Sequence, residues 1–112
     1  MDWTAELANT NKNLDFFRAS HPDAAKGFSA LHHGALKDGA LSVKHKELQA
    51  LAIGVAKQCV DCIGFHVKAA FNAGATRDEI AETVGVCIVM GGGPSFMYGA
   101  KALEAFDQLT GA

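Results

Sequence analysis

With 112 residues the chain has room for one domain with a modest core, so burial against another subunit would add to its stability. A net charge of −2 without a basic stripe to neutralise phosphates argues against nucleic acid as a partner. The composition is that of an ordinary globular protein, and the longest apolar run, Val84 to Met90, is interrupted by Gly85 and far too short to span a membrane.

No stretch alternates apolar and polar residues long enough for a strand, and the whole chain reads as helix. A first helix is expected from Trp3 to Arg18, with a weak apolar stripe through Leu7, Leu14 and Phe17. His21-Pro22 ends it, because the residue before proline is pushed out of the α region. Pro22 then opens a second helix running to His33 and stopped by Gly34. After a loop around Asp38-Gly39, Ser42 can cap a third helix, Val43 to Gln58. A fourth runs from Cys59 to Ala73, with Gly74 just past its end. Thr76-Arg77-Asp78-Glu79 is a capping box that starts a fifth helix through Ile80, Val84 and Ile88. Gly91–Gly93 stops it, and Pro94 starts a sixth that carries Phe96, Leu103 and Phe106. The expected fold class is all-α, a bundle of about six helices forming a single domain over residues 1–112.

Cys59-Val60-Asp61-Cys62, with His66 after it and Glu47 before it, is the part of the chain that proposes chemistry. At about 100° per residue, Cys59, Cys62 and His66 fall within an arc of roughly 60° on the fourth helix. They share that stripe with Ile63, Ala69, Ala70 and Ala73, so it is a buried or half-buried face, and Asp61, Lys68 and Asn72 lie opposite. On the third helix Glu47 sits among Val43, Leu51 and Gly54, while His45, Lys46 and Gln49 face solvent. A carboxylate there is costly to bury without a partner, and His66 on the antiparallel neighbour is the natural one.

Helix N-termini lower thiol pKa values, and both cysteines lie in or near a first turn. His66, one turn after Cys62, could take its proton, and Glu47 could orient the imidazole and stabilise its cation. A Cys62 thiolate attacking a peroxide would become a sulfenic acid, which Cys59 could close to a disulfide before irreversible oxidation.

The Glu47, Cys59, Cys62, His66 spacing resembles the signature of alkylhydroperoxidase D-like (AhpD-like) proteins of the carboxymuconolactone decarboxylase family. The surroundings are similar as well: Lys46-Glu47-Leu48 with its Ala-rich continuation, Phe65-His66, the Ala73-Gly74-Ala75 turn and the helix start from Glu79 to Ala81. The likeness covers roughly residues 20–105. It implies an AhpD-like helical subunit assembling into homo-trimers or hexamers. It also implies an antioxidant thiol peroxidase that reduces organic hydroperoxides or hydrogen peroxide without a cofactor or metal. Cys62 would attack, Cys59 would resolve, and His66 and Glu47 would relay protons. A reductant, a small thiol or a redox protein, would regenerate the dithiol. Asp61 stands where some relatives place a relay His. Family members that decarboxylate a lactone lack the cysteine pair, so its presence argues against that activity.

Other readings stand beside this one. The cysteines could be core packing, since free Cys is often buried. Cys59, Cys62, His66 and Glu47 could hold zinc, although structural zinc usually brings a second Cys/His pair and none is present. A non-catalytic metal-binding or redox-sensing module is therefore the alternative function. A third possibility is an enzyme of the same fold acting on a different small molecule, with peroxidase activity only residual. A thioredoxin-like site would need a βαβ context that is missing. Cys87 reads as a core residue, His32-His33 as solvated, pairing with helix carbonyls or lining a subunit contact, and His21 and His45 as surface. Gly91–Gly93 lacks the Lys-Ser/Thr of a phosphate loop and reads as a bend or a close helix contact. Phe65, Phe71 and Phe96 read as core or interface aromatics. An odd cysteine count and an acidic start, Met1-Asp2-Trp3, point to a cytoplasmic protein without a secretory segment.

Overall fold

The computed structural model describes residues 1–111 and contains six helices: α1 Trp3–Ser20, α2 Pro22–Leu36, α3 Val43–Ala56, α4 Val60–Asn72, α5 Arg77–Gly91 and α6 Gly93–Thr110. No strand occurs among the described residues. Local chemistry sets most of the ends. Asp2, Ser42 and Thr76 each accept a hydrogen bond from the third residue beyond them, and the Thr76–Glu79 capping box is complete in both directions. Gly92, at φ 71° and ψ −151°, turns the chain between α5 and α6 in a conformation open to glycine.

Helix α3 packs on α4 and α5 on α6, and the two hairpins are joined through α4–α6 and α3–α5. Leu51, Val55, Ile63, Val67 and Ile80 are fully buried between them. The start of α1 closes one side. Trp3 is completely buried, with its Nε1 donating to Glu104 Oε1 at 2.7 Å and its backbone N–H to Gln108 Oε1 at 2.8 Å. Gly64 makes room for it, since a Cβ there would stand 2.9 Å from the indole ring.

The sequence reading places several boundaries differently. Gly34 does not end α2, which continues to Leu36, because Lys46 Nζ donates to the Ala35 and Lys37 carbonyls and satisfies the helix end beyond the glycine. Helix α3 stops at Ala56 rather than Gln58. Gln58 is left-handed at φ 57° and Lys57 to Cys59 form the tight connection to α4. The stripe expected on α1 holds only at Leu7, while Leu14 and Phe17 are exposed.

From about residue 11 to the end of α2 the chain forms an arm with no buried residue. Phe28 and Leu31 are 69% and 67% exposed on it. The radius of gyration, 14.2 Å, accordingly exceeds the value of about 13 Å typical of a compact chain this long. No described helix is long and apolar enough to cross a membrane.

Candidate active site

Cys59 is the N-cap of α4 rather than part of it: its backbone is extended and its Sγ accepts from the Cys62 N–H at 3.2 Å. A sulfur fills the place that Ser or Asp usually takes, aimed at the unpaired amides of the first turn. Cys62 lies within that turn, and the two are joined as a disulfide with Cα atoms 5.2 Å apart. Both are half-buried. Reduced Cys59 would therefore present its thiolate to an amide donor and to the positive end of the helix.

Gly54 brings α3 against this turn. A Cβ on it would approach the Cys62 Cβ to 3.0 Å. With the helices this close, Glu47 on α3 reaches His66 on α4, and Oε1 lies 2.7 Å from Nδ1. Glu47 is only 6% exposed, while the His66 side chain keeps a share of solvent contact. A contact this short between an acceptor carboxylate and a ring N–H fixes the protonated nitrogen as Nδ1 and leaves Nε2 for exchange. His66 is one turn beyond Cys62, which puts their Cβ atoms about 5–6 Å apart. The structure thus brings together two pairs, Cys59 with Cys62 at the start of α4 and Glu47 of α3 with His66 one turn further along α4. No hydrogen bond joins the imidazole to either sulfur among the described residues.

Asp61 is not on a solvent face. It accepts from Thr10 Oγ1 at 2.9 Å and so ties the start of α4 to α1. Glu6 lies beside it, and the hydrogen bond with Asp61, followed by repulsion between the two carboxyls, raises the Glu6 pKa. Cys87 is buried and free, with its Sγ against the Thr83 and Ala52 carbonyls, and burial pushes its thiol pKa up. That environment makes it inert core rather than part of the redox pair. No group of three or more His, Cys, Asp and Glu side chains is placed to hold a metal ion among the described residues.

Two residues near the site escaped the sequence reading. Lys46, expected in solvent, reaches back to the end of α2, and His32 stacks on His66 with ring centroids 6.1 Å apart. The only local hint was the Lys46-Glu47 adjacency, which gives no direction in space.

Residues 22–105 match the carboxymuconolactone decarboxylase family. The chain belongs to that family. A carboxymuconolactone decarboxylase family protein from Legionella pneumophila superposes at a TM-score of 0.94 with 47% identity, covering 96% of each chain. A Thermotoga maritima family member, for which involvement in an antioxidative response has been suggested, matches at 0.84 with 25% identity, over 95% of this chain and 91% of that one. An uncharacterized protein of Cupriavidus necator is 39% identical over 109 residues, 97% of this chain and 96% of its own length. The match to the carboxymuconolactone decarboxylase family spans α2 to most of α6, so it takes in both helices of the cysteine site.

Proposed function

We propose that this chain is an antioxidant thiol peroxidase of the AhpD-like kind, reducing organic hydroperoxides or hydrogen peroxide. The observation that carries this reading is the pairing of buried Glu47 with His66, one turn from a cysteine pair close enough to be disulfide-bonded. A buried carboxylate oriented on an imidazole beside a dithiol is the arrangement that thiol activation needs.

Neutral His66 takes the Cys62 proton through Nε2, and Glu47 stabilises the resulting imidazolium. The Cys62 thiolate attacks the outer peroxide oxygen, the O–O bond breaks, and the alkoxide leaves with the proton held on His66. Cys62 is now a sulfenic acid. Cys59 attacks that sulfur, a disulfide forms, and hydroxide leaves as water once protonated. Two thiols thus yield one disulfide, and the hydroperoxide yields one alcohol and one water. An external dithiol or two small thiols restore the pair by exchange. Attack at Cys62 expels Cys59, whose thiolate is received by the Cys62 amide, so the N-cap position favours reduction from that side. A thiol-rich cytoplasm suits the cycle.

The exposed arm of α1 and α2 supports a homo-oligomer, trimer or hexamer, in which a second copy covers Phe28 and Leu31.

The test is peroxide consumption with a thiol reductant, followed by intact mass. Cys62→Ser should abolish turnover. Cys59→Ser should leave Cys62 as a sulfenic or over-oxidised acid. Turnover unaffected by either change would end the proposal, and disulfide formation without turnover would favour a redox sensor.

A further inference from the structure

His66 has a neighbour outside the Cys–His–Glu set. The His32 ring lies beside it, centroids 6.1 Å apart and planes 23° from parallel. His32 makes no side-chain hydrogen bond among the described residues, whereas adjacent His33 is held by the Ser29 carbonyl at 2.8 Å. Helix α2 has no buried residue, so no core presses His32 into place. Lys46 ties the end of that helix to α3 instead, donating to the Ala35 and Lys37 carbonyls at 3.0 and 2.6 Å. Lys46 and Glu47 are consecutive on α3. One helix therefore holds both imidazoles, His66 directly and His32 through the end of α2.

This arrangement answers a mechanical problem. A single hydrogen bond from Nδ1 to Glu47 leaves an imidazole able to rock about that bond, and rocking carries Nε2 away from a thiol. A second aromatic ring beside it narrows that freedom. We propose that His32 is a positioning residue for His66, its ring holding the imidazole in the plane that aims Nε2 at the Cys62 thiol. The inference rests on the thiol-peroxidase reading for its purpose, and it concerns the activation step alone.

The experiment uses the full-length reduced protein carrying Cys59→Ser, which keeps an N-cap oxygen and leaves Cys62 as the accessible thiol. Alkylation of Cys62 by iodoacetamide is followed by intact mass at neutral pH. H32A should slow alkylation about tenfold, as loss of orientation does, with an unchanged melting temperature, because position 32 is exposed and alanine favours helix. H32F keeps a ring beside His66 and should restore the rate to within about twofold of the parent. Alkylation of H32A at the parental rate, or H32F as slow as H32A, would overturn the role. No peroxide enters this measurement. A wild type that fails to turn over peroxide would therefore remove the peroxidase reading and leave the His32 result intact, whereas unchanged alkylation would remove only His32.

Discussion

Gly54 and Cys62 meet where α3 runs against α4, and a Cβ on Gly54 would stand 3.0 Å from that of Cys62. Both atoms are fixed to backbone, so neither can swing aside. The turn that bears the sulfurs and the helix that bears Glu47 are held at a distance set by a missing side chain.

Gly54→Ala should therefore push the start of α4 outward. Alanine gains about 1 kcal/mol of helix preference over glycine, but overpacking costs about 1–3 kcal/mol. A net loss is expected in denaturant unfolding, together with slower Cys62 alkylation. A variant at least as stable and as reactive as the wild type would refute the close contact.

Glu47→Gln keeps the size of the side chain and an oxygen for the His66 Nδ1–H, but it has no charge to stabilise an imidazolium. Stability should change by no more than about 1 kcal/mol, while peroxide consumption falls about 100-fold. Parallel unfolding and turnover measurements separate the two effects. Equal activity would show that the carboxylate charge plays no part.

Acid should weaken the fold through Glu104. Its hydrogen bond from Trp3, then that from the N-terminus, holds the carboxyl below its ordinary 4.5. A depressed carboxylate contributes stability that is present above its unfolded value and lost as pH falls through the folded one. Glu104→Gln should flatten that acid slope. Glu6 is raised instead, and its contribution grows as pH falls, so Glu6→Gln should leave neutral-pH stability undiminished. Unfolding free energies measured from neutral pH into the acid range check both signs.

The arm of α1 and α2 should be where copies meet. Phe28→Lys combined with Leu31→Lys would place charge on the exposed apolar face and lower the solution mass by light scattering. An unchanged mass would remove the arm from the assembly.

Much of this was legible because it is local. The Thr76–Glu79 box, the Ser42 cap and the proline after His21 act within four residues, and each sits at a helix end as read. The Glu47–His66 contact was accessible too, since a tight connection makes successive helices antiparallel and a lone carboxylate on an apolar stripe demands a partner. Gly34 misled because its helix end is satisfied from another helix by Lys46, a contact that no window around the glycine contains. Asp61 misled for a similar reason, as Thr10 lies 51 residues away.

By itself the sequence determined the helices, most of their caps and the register that stacks Cys62 and His66 on one stripe, because those depend on spacings of three and four along a single coil. Only the tertiary structure decided that Cys59 caps its helix, that Trp3 fills the space over Gly64, and that His32 lies on His66. These follow from how far helices approach and at what depth they meet. Close packing sets both through the volumes of side chains drawn from the whole chain, and neighbours in sequence do not carry that information.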